Sequence, residues 1–132
     1  MVRLQRLPMR KFVWCFLLCA CGGGLERATF VTDALTYAPG GRVELQFENV
    51  SATDLSVNLC LSQLRKEDGS DPGITNDETC DLEQTRIKPG ARLTERKSMP
   101  NGVPAGKYRY EATITLPSGS GERVLTPVFT VQ

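Results

Sequence analysis

The chain has 132 residues, with 16 lysines and arginines against 15 aspartates and glutamates, and it contains no histidine. The absence of histidine excludes Ser–His–Asp and Cys–His catalytic arrangements and every zinc site that depends on imidazole. The sequence has no glycine-rich phosphate loop ending in Gly-Lys-Ser/Thr. We therefore expect a protein that is not an enzyme and that uses no cofactor and no metal.

The first twenty residues have the layout of a secretory signal peptide. Four basic residues and no acidic residue occur before position 21, and an apolar run covers residues 12–18. Because a bilayer-spanning helix needs about 20 apolar residues, this run does not favour a transmembrane helix. Met9 opens a shorter version of the same signal, so Met1 and Met9 both stand as candidate starts.

The apolar run ends in Leu18-Cys19-Ala20-Cys21-Gly22, which resembles the lipobox of bacterial lipoproteins. The resemblance implies cleavage after Ala20 and attachment of diacylglycerol to Cys21, with further acylation of the new amino group by a fatty acid such as palmitate. A multi-chain lipid anchor holds a protein firmly in a membrane. Residues 21–27 are then a glycine-rich, flexible tether.

The residue after the lipidated cysteine bears on location. Gly22 is not the aspartate that retains such lipoproteins in the inner membrane, so the resemblance implies the cell envelope, and the outer membrane if the cell is Gram-negative. An ordinary signal peptide that releases a soluble protein is the alternative.

The chain after residue 20 has 112 residues, which predicts a single domain over residues 28–132. Removing residues 1–20 takes away four basic residues, so that 12 remain against 15 acidic ones, a net charge of −3. No basic run survives, whereas nucleic-acid binding requires a basic stripe. Nucleic acid is therefore excluded as a partner.

Two cysteines, Cys60 and Cys80, remain beyond the anchor. In an oxidising envelope we expect them to form a disulfide, with two free thiols as the alternative. The bridge would close a loop of about 20 residues, which corresponds to roughly 3 kcal/mol on the chain-entropy estimate.

Alternation of apolar and polar residues dominates the rest of the chain and predicts β-strands with one buried face. Three segments show it clearly: residues 42–48, 55–62 and 107–116. A further strand is predicted over 122–131, where the alternation slips at Pro127 and indicates a bulge or an edge position. Weaker strands fit residues 29–37, 83–88 and 92–98.

Gly- and Pro-rich turns separate these segments, and no helical periodicity is present after residue 20. About seven short strands with regular turns indicate an all-β fold, a single antiparallel β-sandwich.

Three stretches carry a family resemblance: Tyr37–Val43, which leads into a strand ending at Asn49, then Ile87–Gly90, and Pro104–Tyr110. They are similar to the immunoglobulin-like or fibronectin-type-III-like modules of bacterial envelope proteins, over about residues 28–131. The resemblance implies an immunoglobulin-like sandwich and a corner tyrosine at Tyr108, whose hydroxyl binds upstream backbone. It specifies a fold more than an activity.

The segment 65–81 is long and polar for a sandwich connection, and such loops are often functional or disordered. We predict that it contacts a partner. The candidate residues are Asp68, Asp71, Asn76, Asp77 and Glu78. A calcium site is one alternative, although the spacing matches no EF-hand, and a solvated acidic loop is the other.

The favoured function is a lipid-anchored, non-catalytic envelope module that binds a protein or polymer partner. One alternative is a proteinase inhibitor, since bacterial immunoglobulin-like inhibitors show a faint similarity in a strand that ends in asparagine and a late Gly-x-Tyr-Arg strand. The least favoured alternative is an enzyme at an unrecognised site, where Lys or a carboxylate would have to serve as the base.

Overall fold

A computed structural model of the chain describes residues 26–74 and 78–132. These residues form ten β-strands and one 3-10 helix, and they contain no α-helix, so the prediction of an all-β fold is confirmed. The strands are β1 (Ala28–Thr32), β2 (Thr36–Tyr37), β3 (Arg42–Asn49), β4 (Leu55–Val57), β5 (Gln63–Lys66), β6 (Thr85–Ile87), β7 (Arg92–Ser98), β8 (Gly106–Thr115), β9 (Gly121–Leu125) and β10 (Phe129–Val131). No helix in this part of the chain is long and apolar enough to span a bilayer.

The strands form two sheets. The smaller sheet has the order β1-β3-β7 and is antiparallel. The larger sheet has the order β2-β10-β8-β4-β6, and β5 and β9 also pair with β8. Strand β8 is the centre of the larger sheet, because β4 and β5 lie along one of its edges while β9 and β10 lie along the other. The pairing of β2 with β10 is parallel, which corrects the prediction of a purely antiparallel fold.

One hydrophobic core lies between the two sheets. The smaller sheet contributes Val43, Leu45 and Phe47 of β3, and the larger sheet contributes alternate residues of β8 from Tyr108 to Ile114, all of them buried. Burying one such large side chain contributes roughly 1.5–3 kcal/mol. The clear alternation in the sequence of these two strands therefore reflects which side chains face the core.

Tyr108 makes the corner contact that the family resemblance implied. Its side chain is buried, and its hydroxyl donates a hydrogen bond of 2.8 Å to the carbonyl of Pro104, four residues upstream. This bond fastens the start of β8 to the turn before it.

The predicted strand over residues 55–62 was too long. Strand β4 ends at Val57, and Leu59–Leu61 form a 3-10 helix that leaves Leu61 48% exposed. The side chain of Asn58 accepts a hydrogen bond of 3.1 Å from the amide of Cys60. Such a local bond competes with strand pairing, and the alternation of apolar residues did not reveal it.

Strand β5 follows this helix and was not predicted. Its last two residues, Arg65 and Lys66, fall within the segment 65–81 that was expected to be a loop, so the long connection begins after Lys66 and ends before Thr85.

The predicted strand over residues 122–131 is divided into β9 and β10 at Pro127. Leu125 pairs with Glu111 and Phe129 pairs with Tyr108. The three residues 126–128 therefore lie opposite only two residues of β8, 109 and 110. The expected bulge is therefore present. Pro127 has no amide hydrogen for the ladder, and the hydroxyl of buried Thr126 instead accepts a hydrogen bond of 2.9 Å from the amide of Tyr110.

Candidate functional site

The connection between β5 and β6, residues 67–84, is the candidate site, and we call it the acidic loop. It carries seven acidic residues, listed in chain order as Glu67, Asp68, Asp71, Asp77, Glu78, Asp81 and Glu83. Residues 75–77 lie outside the described part of the chain, so the predicted contacts of Asn76 and Asp77 are not described either.

The first part of the acidic loop is ordered by two local turns. The carboxylate of Asp68 accepts hydrogen bonds from the amide and the hydroxyl of Ser70, at 2.9 and 2.7 Å. These bonds lower the pKa of Asp68. The carboxylate of Asp71 accepts a hydrogen bond of 2.8 Å from the amide of Gly73. Asp68 and Asp71 are exposed, so two predicted contact residues present negative charge to solvent from fixed turns.

The last part of the acidic loop is joined covalently to the 3-10 helix. Cys60 and Cys80 form a disulfide with a Cα–Cα distance of 5.8 Å, which confirms the predicted pairing. The side chain of Asn58 donates a hydrogen bond of 2.5 Å to the carbonyl of Asp81, immediately after the bridge. The loop is thus fastened to Asn58 and Cys60, the two residues that flank the buried Leu59 of the core.

An ion pair between a buried lysine and a partly buried glutamate forms a second attachment of the acidic loop. Lys97 of β7 is 1% exposed, and its ammonium group lies 2.8 Å from a carboxylate oxygen of Glu78. The same ammonium donates a hydrogen bond of 2.5 Å to the carbonyl of Cys60. Glu78 was predicted to contact a partner molecule. In the structure its carboxylate contacts Lys97 of the same domain.

Lys97 was not among the residues predicted to belong to the site. Its position in β7 has the same parity as Leu93, which packs partly against the core, and this parity would have indicated an inward-facing lysine. A charge at an inward position requires a counter-ion, so the strand pattern contained a usable signal.

A surface cavity of about 350 Å³ lies beside β5. It is lined by Gln63, Leu64, Arg65, Asp71, Ile74, Pro100 and Tyr110. Tyr110 is 1% exposed, and its hydroxyl has no hydrogen-bond partner among the described residues. Burial raises the pKa of Tyr110, and the negative charge of Glu78 raises it further.

The two tyrosines of β8 should respond in opposite ways to loss of the hydroxyl. We expect Tyr108→Phe to lower the free energy of unfolding by about 1 kcal/mol, because the bond to Pro104 is lost. Tyr110→Phe should raise it by about 1 kcal/mol, because a buried, unpaired hydroxyl is removed. Urea denaturation of both variants provides the comparison. Destabilisation by Tyr110→Phe would mean that its hydroxyl has a partner that the described residues do not supply.

The domain should lose stability in alkaline solution. Burial, followed by the hydrogen bond to Asp33, raises the pKa of Tyr37 to about 12 from an ordinary value of 10.0. The pKa of Tyr37 is higher in the folded than in the unfolded protein, so the neutral tyrosine stabilises the fold. This contribution to the free energy of unfolding is complete below about pH 10 and is lost as the pH rises towards 12, by roughly 1.4 kcal/mol per pH unit. Tyr110 acts in the same direction. Urea denaturation at increasing pH measures the decline, which the double variant Tyr37→Phe/Tyr110→Phe should flatten.

Among the described residues, no three Cys, Asp or Glu side chains gather as a metal site would require. The predicted lipidation site Cys21 and the predicted signal peptide, residues 1–20, lie outside the described residues, as does most of the predicted tether.

Comparisons with known proteins give similarities to solved structures only. No protein-family model matches the chain, and no curated protein matches it. Among solved structures, the chain is similar to the soluble domain of PmoD from Methylocystis sp. ATCC 49242 (Rockwell), with a TM-score of 0.43 and 12% sequence identity. The similarity covers 84% of this chain and 95% of that one.

Proposed function

We propose that the chain is a lipid-anchored protein of the cell envelope, whose non-catalytic, immunoglobulin-like domain binds a protein or polymer partner through the acidic loop. The observation that carries this proposal is the double attachment of the loop, by the Cys60–Cys80 disulfide and by the Lys97–Glu78 ion pair. A loop held on a rigid scaffold is a common site of recognition. Holding it in place before binding also reduces the entropy lost when a partner binds.

The immunoglobulin-like assignment is supported by the two sheets around one core and by the corner bond of Tyr108 to Pro104. A tyrosine near the start of a late strand that binds backbone a few residues upstream is typical of such sandwiches. Within residues 26–74 and 78–132 the one disulfide, Cys60–Cys80, joins the 3-10 helix to the acidic loop and does not link the two sheets as in antibody-type domains.

The anchor is supported by the sequence Leu18-Cys19-Ala20-Cys21-Gly22 and by the basic, then apolar residues before it. The disulfide agrees with it, because disulfides persist in oxidising compartments outside the cytosol. In a Gram-negative cell, Gly22 favours the outer membrane over the inner one.

Crosslinking in intact cells tests the binding role of the acidic loop. The loop variant is Asp68→Asn/Asp71→Asn, since asparagine retains the oxygen that accepts the turn hydrogen bonds while removing the charge. The control variant, Glu26→Gln/Asp54→Asn, removes two negative charges outside the loop.

We expect a crosslinked adduct that forms with the wild type and the control and is lost with the loop variant. An adduct of equal yield in all three proteins would contradict a role for the loop. If the adduct contains a protease, the inhibitor alternative replaces the general binding role.

A further inference from the structure

Strands β5, β8 and β9 carry four basic side chains on the outer face of the larger sheet, and we call them the basic face: Arg65, Lys107, Arg109 and Arg123. Lys107 and Arg109 alternate along β8 with the buried Tyr108 and Tyr110, so they point away from the core. Arg65 is the register partner of Arg109, and Arg123 is the register partner of Thr113.

The charges of the basic face are only partly balanced within the domain. Among the outward-facing positions of β5, β8 and β9, all of which the structure describes, the one acidic residue is Glu111. Its carboxylate, 9% exposed, lies 2.9 Å from the guanidinium of Arg65 and 3.3 Å from that of Arg123. The outward-facing positions of these three strands therefore sum to +3, in a chain whose residues after position 20 sum to −3. Glu67, whose amide donates a hydrogen bond of 3.1 Å to the carbonyl of Lys107, adds one negative charge beside Lys107.

Two cations of the face, Lys107 and Arg109, have no carboxylate partner among the described residues. Arg65 and Arg109 are directly opposite on neighbouring strands, and like charges in such positions destabilise a sheet. Arg109 donates a hydrogen bond of 3.1 Å to the carbonyl of Thr126, which supplies no full negative charge. Lys107 is exposed and has no ion pair within the described residues.

The described chain begins beside this face. Arg27 lines a cleft between β1 and β9 together with Arg109 and Arg123. The position of Arg27 is fixed, because its guanidinium lies 3.2 Å from the carboxylate of Glu122 and its carbonyl accepts a hydrogen bond of 2.9 Å from the amide of Val50. Cys21 precedes Glu26 by five residues, which span at most about 18 Å when extended.

We infer that the basic face lies against the membrane and binds the phosphate groups of anionic lipid headgroups. This inference rests on the proposed anchor at Cys21, since the short tether keeps the face close to the bilayer. Arginine and lysine bind phosphate through charge-assisted hydrogen bonds, and basic clusters near a bilayer are attracted to anionic lipids. The contact orients the domain on the membrane surface.

Arginine labelling on vesicles tests the orientation. The full chain is produced in bacteria, extracted in detergent as processed by the cell, and reconstituted into vesicles of phosphatidylcholine alone or with phosphatidylglycerol. Phenylglyoxal labelling of floated vesicles is then read at two sites by mass spectrometry. Arg123 and Arg92 are matched, since their side chains are 72% and 78% exposed and each is paired with one glutamate.

With phosphatidylglycerol we expect labelling of Arg123 to slow by about fivefold, while labelling of Arg92 is unchanged. The factor corresponds to the attraction of one basic residue to an anionic membrane surface, about 1 kcal/mol. The variant Lys107→Gln/Arg109→Gln should lose this protection. The control Arg42→Gln/Lys88→Gln, which removes two charges from exposed positions off the face, should retain it. Equal labelling of Arg123 in both vesicle types would overturn the inference.

Intact mass of the same samples separates the two proposals. A lipidated Cys21 with unprotected Arg123 would retain the anchor and overturn the membrane contact. An unlipidated chain that still floats with phosphatidylglycerol vesicles and protects Arg123 would support the contact and contradict the anchor. An unlipidated chain that does not float would overturn both.

Discussion

Replacing Glu78 with glutamine should lower the free energy of unfolding by about 3–5 kcal/mol. The side chain of Lys97 is 1% exposed, and among the described residues its ammonium group has one carboxylate partner, Glu78, at 2.8 Å. Glutamine preserves the shape of the side chain but leaves the buried cation without its counter-ion. Removing one member of a buried pair costs more than the pair itself contributes, because the remaining charge stays out of water.

The double variant Lys97→Met/Glu78→Gln is the control for this prediction. It removes both charges and fills the site of Lys97 with an apolar side chain, so it should recover most of the lost stability. Urea denaturation of the wild type and the two variants measures the difference. A loss below about 1 kcal/mol for Glu78→Gln, in the range of a surface pair, would show that Glu78 is not the main partner of Lys97.

Removing the disulfide should have the second largest effect. The Cys60–Cys80 bridge closes a loop with a sequence separation of 20, so Cys60→Ser/Cys80→Ser should lower the free energy of unfolding by roughly 3 kcal/mol. Hydrogen exchange should show faster exchange in the acidic loop and little change in β8, whose pairing does not involve the bridge.

Reduction of the wild type provides an independent check of the bridge. A reducing agent should lower the stability of the wild type to that of the serine variant and should leave the variant itself unchanged. Equal stability of the two oxidised proteins would contradict a stabilising role, and loss of exchange protection throughout β8 would contradict a local one.

Local sequence patterns were sufficient for the strands with one buried face. Strands β3 and β8 alternate apolar and polar residues along most of their length, because each has one face on the core. The exception in β3 is its last inward residue, Asn49, which is polar and buried. The pattern failed between Leu55 and Lys66. There the apolar residues continue to alternate while the amide of Cys60 bonds to the side chain of Asn58, and the chain turns into a 3-10 helix.

Only the parts of the candidate site that depend on local sequence were predicted. Counting cysteines and locating polar turn residues identified the Cys60–Cys80 bridge and the exposed Asp68 and Asp71. Lys97 depends on contacts between residues far apart in sequence, since its partner Glu78 comes from a loop of the other sheet. The basic face likewise appears only when the register of β5, β8 and β9 is known, because its residues are scattered between positions 65 and 123.

The most direct test of a lipid-anchored envelope protein is the intact mass of the protein extracted from membranes. We expect a mature chain that begins at Cys21 and carries diacylglycerol and an N-terminal acyl group. A mature chain that begins at Gly23, or at any nearby residue, and carries no lipid would contradict it.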